Sequence, residues 1–148
     1  GCFTPLEEYV RNMKRIAREL LKITPKVIFA TITPVAEGKD DQDNAKIAEY
    51  NARIVPELQA MGIQINDLHA IVASDPDAYI CEDRIHLTNA GKAVCAVAVE
   101  KAIEQALGEG PKAENPLKVL AIGNSFSQDG TRWLHQIAEA DGWEITKK

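Results

Sequence analysis

Apolar residues at Leu6, Tyr9, Val10, Met13, Ile16, Ala17, Leu20 and Leu21 recur at helical spacing, with arginines and lysines between them. That spacing predicts a first helix with one buried face. Thr4, Pro5 and Glu7 supply its start: a capping hydroxyl, a proline suited to the first helical position, and the glutamate of a capping box. The pattern then changes to a continuous apolar, β-branched run over residues 27–32, fenced by Pro25 and Pro34. A strand covered on both faces accounts for such a run. The polar, acidic stretch 36–43 predicts a surface loop. Ile47, Ala48, Ile54, Val55, Leu58 and Met61 predict a second helix over 44–61, stopping at Gly62 and kinked at Pro56.

Residues 63–65 read as a short second strand, 67–72 as a helical turn, and Ser74-Asp75-Pro76-Asp77 as turn chemistry. An apolar helix entered at Asn89 covers 93–107 and ends at Gly108. The stretch 109–116 is a linker. Beyond it the pattern predicts a buried strand over 117–122, a loop over 123–130, a helix over 131–140 and the start of another strand at 143–146. Helices alternating with strands place the chain in the α/β class, with a mostly parallel sheet.

Length and charge narrow the picture. The chain has 148 residues and a net charge of −5, room for one compact domain and no basic cluster to grip phosphates, which argues against nucleic-acid binding. No run approaches the roughly 20 apolar residues of a membrane span. Cys2, Cys81 and Cys95 are odd in number and widely spaced, so they form neither a disulfide framework nor a zinc ribbon. The first residues lack the basic and apolar regions of a signal peptide. These features describe a soluble chain whose compartment stays open, since a removed signal leaves no trace.

Two stretches carry candidate chemistry. The run Val119-Leu120-Ala121-Ile122-Gly123-Asn124-Ser125 places Ser125 at the tip of a strand and the start of a helix. There its own N–H and the helix dipole can stabilise an oxyanion, although a serine in that position also serves as a plain helix cap. The second stretch is Asp83-Arg84-Ile85-His86, just ahead of a helix. A carboxylate three residues before an imidazole can hold its tautomer while the other ring nitrogen takes a proton from a serine. Taken alone, the same spacing describes a solvated loop pair. His69, His86 and His135 have no metal-ligand spacing, and Cys81 has no evident activating partner. His69, His135, Trp133 and Trp143 read as packing or surface residues, and Ser127 is a second-choice nucleophile.

Together the two stretches resemble the SGNH, or GDSL, hydrolases. Gly123-Asn124-Ser125-Phe126 is similar to the family's Gly-Asp-Ser-Leu block, with Asn124 in place of aspartate, and Asp83-Arg84-Ile85-His86 matches its Asp-x-x-His block. Residues 23–35, Tyr50-Asn51 and Ile65-Asn66-Asp67-Leu68 are similar to the segments leading into that second block. The resemblance implies a three-layer, SGNH-hydrolase or flavodoxin-like sheet flanked by helices. It also implies Ser125 as nucleophile, His86 as base and Asp83 as orienter, with Ser125, Asn124 and Gly123 around the oxyanion hole and no metal or organic cofactor. The implied substrates are small acyl esters, including acylated carbohydrates.

The blocks stand in reversed order. Residues 1–108 match the closing portion of such a domain and 117–148 its opening portion, while the middle blocks with their oxyanion-hole glycine and asparagine have no counterpart. The sheet is therefore expected to be incomplete or circularly permuted. A junction of tandem domains, a permutant and a non-catalytic binding or assembly module on the same scaffold all fit this order. A second chain or a homo-oligomer is the expected means of completing the sheet.

Overall fold

The computed structural model describes residues 4–36 and 44–108. Its elements are α1 (Leu6–Ile23), β1 (Ile28–Ala30), α2 (Asn44–Gln59), β2 (Gln64–Asn66), α3 (Leu68–Ala73), α4 (Pro76–Tyr79) and α5 (Asn89–Leu107). Helices and a small parallel sheet alternate along the chain, as the α/β reading expects. Residues 37–43 of the loop predicted over 36–43, and everything from the linker at 109 onward, lie outside the described residues.

The first helix forms for the expected reason but begins differently. Val10 and Ala17 are buried on its apolar face, and Leu6, Tyr9, Met13 and Leu21 pack beside them. Pro5 is the N-cap, and no side chain caps the helix, which corrects the capping role expected of Thr4. The Thr4 carbonyl instead accepts the Tyr50 hydroxyl of α2, so the entry to α1 is tied to its neighbour. Helix α2 continues through Pro56. It ends in a turn in which Gly62 N–H reaches Gln59 O and Ile63 N–H reaches Leu58 O. Gly62 sits there at φ +80°, a conformation that glycine adopts without the strain a Cβ would bring.

Strands β1 and β2 pair in parallel, with Ile28 opposite Gln64, Phe29 opposite Ile65 and Ala30 opposite Asn66. The ladder extends one bond past each end, through Gln64 N–H to Val27 O (3.1 Å) and Thr31 N–H to Asn66 O (3.0 Å). Phe29 and Ile65 share one face and pack on the cluster of Val10, Ala17, Ile54, Leu58 and Ile63. Strand alternation turns Gln64 to the opposite face, where its amide donates to Ala102 O (2.9 Å) of α5. The expectation of a strand buried on both faces over 27–32 needs correction. The strand is three residues long, Ile28 and Phe29 are half-buried and Ala30 is exposed.

The direction of α5 fixes where the rest of the chemistry lies. Lys26, just before β1, donates to Leu107 O (3.2 Å), and Gln64 opens β2 beside Ala102. The carboxyl end of α5 therefore sits at the starts of both strands, and the helix runs back along the sheet. Its N-terminus lies toward the strands' carboxyl ends. There Val72, Ile80, Leu87 and Cys95 form a second buried cluster.

Beyond Thr31 the chain leaves the ladder, yet Thr31, Pro34 and Val35 are buried. Backbone in such a place must find hydrogen bonds elsewhere. Two asparagines of α2, seven residues apart and so on one helix face, supply them. Asn51 accepts Ile32 N–H (2.9 Å) and donates to Ile32 O (2.8 Å). Asn44 accepts Val35 N–H (3.0 Å) and donates to Val35 O (2.8 Å). Each carboxamide thus replaces a neighbouring strand's peptide.

Replacing Asn51 by alanine leaves both backbone groups of Ile32 without these partners, at a cost of about 1–3 kcal/mol. Asn51→Ala should lower the unfolding free energy by that much, read as a lower urea midpoint with an unchanged slope of the transition. A midpoint equal to wild type would show that water satisfies Ile32 equally well.

Candidate active site

Residues 80–88 link α4 to α5 as a closed loop. Ile80 and Leu87 form an antiparallel bridge, and inside it Cys81 N–H donates to His86 O (2.7 Å) while Arg84 N–H donates to Cys81 O (2.8 Å). Thr88 locks the base of the loop. Its hydroxyl caps α5 by accepting Gly91 N–H (3.1 Å) and donates to Ala78 O (2.7 Å), and its N–H donates to Tyr79 O (2.9 Å). Gly91 is required by this closeness, because a Cβ there would run into the Tyr79 backbone. The turn expected at 74–77 is partly helical: Asp75 caps α4 by accepting Ala78 N–H (3.2 Å).

Asp83 organises the tip. Its Oδ1 accepts Ile85 N–H (2.9 Å) and His86 N–H (2.9 Å), and its Oδ2 lies 2.6 Å from His86 Nδ1. These contacts, led by Ile85 N–H and followed by the His86 ring and the His86 N–H, hold the Asp83 carboxyl well below the usual carboxylate range. An ionised carboxylate can only accept, so Nδ1 carries the proton in this contact and Nε2 is the basic nitrogen of the neutral ring. Both side chains are about half exposed, 48% for His86 and 50% for Asp83, so the pair is open to a reactant.

Arg84 adopts φ +66°, a left-handed conformation that costs a non-glycine residue about 1–2 kcal/mol. The turn thereby places the Asp83 carboxylate beneath the next two N–H groups. The Arg84 carbonyl accepts Ala36 N–H (3.1 Å), which ties the loop to the segment leaving β1. The pair therefore sits toward the carboxyl ends of the strands, where open parallel sheets gather their reactive groups.

Asp83 and His86 are brought together, while Ser125, Asn124 and Gly123 lie outside the described residues, as do Ser127, Trp133, His135 and Trp143. Cys81 contributes backbone bonds to the loop, and burial pushes the Cys95 thiol up to about 11, which makes it a packing residue. His69 opens α3 with its N–H on Thr31 Oγ1 (2.9 Å), and that hydroxyl donates to Asp67 Oδ1 (2.9 Å). Sequence reasoning missed this Thr31–Asp67 link, both tethering asparagines and the conformation of Arg84. Among the described residues no three His, Cys, Asp or Glu side chains gather in a way that could hold a metal ion, and no described helix is long and apolar enough to cross a membrane.

A GDSL esterase/lipase of Arabidopsis thaliana is 29% identical to this chain over 121 residues, which takes in 72% of the chain and 47% of the relative. The chain spans about half the length of that curated relative. No family model matches the chain, and no solved structure matches it.

Because folding lowers the Asp83 pKa, the stability it contributes is complete above its unfolded value of about 3.9 and is lost as pH falls through the lower folded value. Asp83→Asn removes the titrating group, so denaturation midpoints of the variant should lie below wild type near neutrality and converge with it in acid. Midpoints that fall in parallel across the acid range would remove this role for the carboxylate.

Proposed function

We propose that the chain belongs to a serine ester hydrolase of the SGNH or GDSL kind, in which Asp83 steadies His86 and Ser125 is the nucleophile. The observation that carries this reading is the 2.6 Å contact between Asp83 Oδ2 and His86 Nδ1, on a loop whose backbone fixes both residues. The similarity to a GDSL esterase/lipase supports the same reaction class.

In this mechanism Ser125 Oγ attacks the carbonyl carbon of an ester while His86 Nε2 takes its proton. Asp83 stabilises the imidazolium that results. The proton then passes to the departing alkoxide, the alcohol leaves, and an acyl group remains on Ser125. Water attacks that acyl group, giving its proton to the same nitrogen, which passes it on to Ser125 Oγ as the acyl–oxygen bond breaks, so the carboxylic acid departs with Ser125 and His86 regenerated. The Ser125 N–H, flanked by Asn124 and Gly123, supplies part of the oxyanion hole. No metal or organic cofactor enters these steps, and small acyl esters, acylated carbohydrates among them, are the substrates.

Residues 1–108 would form the closing portion of the domain and 117–148 an opening portion, joined through 109–116 in a permuted or tandem arrangement. The described sheet is a single parallel pair. Parallel sheets are stable when extended and covered on both faces, which supports completion by further strands from this chain, a second chain or another copy. A non-catalytic binding module is the competing reading, favoured by the lack of matching glycine and asparagine donors in the sequence, each worth ~10²–10³ in rate.

Hydrolysis of p-nitrophenyl acetate separates these readings. Wild type should turn over, Ser125→Ala and His86→Ala should lose nearly all of that rate, and Asp83→Asn should lose up to about 10⁴-fold in kcat. Equal rates in wild type and Ser125→Ala would remove the nucleophile assignment. A folded wild type without turnover would favour the binding module.

A further inference from the structure

We infer that Asn44 is a positioning residue for the Asp83–His86 pair, acting through two peptide groups that join it to the Asp83 carboxylate. This inference rests on the proposed role of His86 as the base. Asn44 Nδ2 donates to Val35 O (2.8 Å). That carbonyl belongs to the peptide group whose other end is Ala36 N–H, and Ala36 N–H donates to Arg84 O (3.1 Å). The Arg84 carbonyl in turn shares its peptide group with Ile85 N–H, which donates to Asp83 Oδ1 (2.9 Å). The other carboxylate oxygen holds His86 Nδ1 at 2.6 Å.

A peptide group is planar and rigid, and in its trans form the C=O and N–H point in opposite directions. Fixing Val35 O therefore aims Ala36 N–H, and fixing Arg84 O aims Ile85 N–H. Asn44 holds the first peptide firmly, because it also accepts Val35 N–H (3.0 Å) and cannot swing about a single bond. Every dipole along the path points the same way, each donor strengthening the next, and the path ends on a negative charge. Arg84, in its left-handed conformation, presents its carbonyl to Ala36 while the following N–H turns in under Asp83. Helix α2 is thus linked to the imidazole through backbone peptide groups.

Asn51 provides the comparison. It makes the same two-bond contact with Ile32, on the same helix face, but the relay does not pass through it. Loss of either asparagine costs the fold comparable hydrogen bonds, and only loss of Asn44 should disturb the ring. The direct readout is the nitrogen chemical shifts of the neutral His86 ring, which report the share of each tautomer.

In wild type the Nδ1-protonated form should dominate. In Asn44→Ala the shifts should move toward the tautomer mixture of free imidazole, and in Asn51→Ala they should stay at wild-type values. Asn44→Asp keeps the acceptor for Val35 N–H and sets an oxygen against Val35 O, so it should behave like Asn44→Ala. Unchanged His86 shifts in a folded Asn44 variant, or equal shifts in the Asn44 and Asn51 variants, would overturn the inference. If the Asn44 variants do not fold, the scalar coupling across the hydrogen bond from Ala36 N to Arg84 C′ decides in wild type: its presence supports the relay and its absence overturns it. These readouts need no turnover, so a failed esterase assay and a failed relay remain separate results.

Discussion

Irregular backbone can lie inside a protein only if something replaces the hydrogen bonds that a neighbouring strand would have made, and this constraint shapes the described part of the molecule. After β1 the chain runs from Thr31 to Ala36 with three of its residues buried. Two carboxamides from α2 answer the peptide groups of Ile32 and Val35, and the Arg84 carbonyl answers Ala36. An unmet backbone group here would cost about 1–3 kcal/mol, a sizeable share of the stability of a small domain. The solution does more than satisfy the backbone, because its last bond is to the loop that carries Asp83 and His86.

The electrostatics of that loop follow from backbone geometry more than from burial. Asp83 is half exposed, yet its carboxylate gathers two N–H groups and a ring nitrogen from the residues two and three places on, and these lower its pKa. Hydrogen bonds to a charged group are the stronger kind, and here they offset the cost of holding Arg84 in the left-handed region. Thr88, with one hydroxyl serving both the start of α5 and the end of α4, fixes the base of the same loop. The imidazole is therefore held while remaining open to solvent.

Elements with strong periodicity were legible in the sequence. The apolar stripes of α1 and α2, the stop at Gly62 and the entry to α5 near Asn89 all stand close to where the pattern puts them. So does the pairing of Asp83 with His86, since the spacing and the preceding turn residues already bring both side chains to one loop. What escaped were interactions between segments far apart in the chain. Asn44 read only as the start of a helix and Asn51 only as part of a segment similar to the family's, because nothing local shows that irregular backbone will lie against them. Thr4 has good capping chemistry, but its neighbourhood is decided by Tyr50 from a different helix.

The direction of α5 also limits how a nucleophile can meet His86. The helix ends beside the starts of β1 and β2, so a chain leaving Gly108 departs from the side of the sheet opposite the imidazole. Eight linker residues, 109–116, span at most about 26–29 Å, and a six-residue strand rises about 20 Å. A strand over 117–122 running parallel to β1 would therefore carry a following serine back to the side where His86 lies. An antiparallel course would deliver it to the wrong end. The proposed chemistry is thus compatible with permuted order only for a parallel course, and a tandem arrangement requires another segment to supply the hydroxyl from that same side.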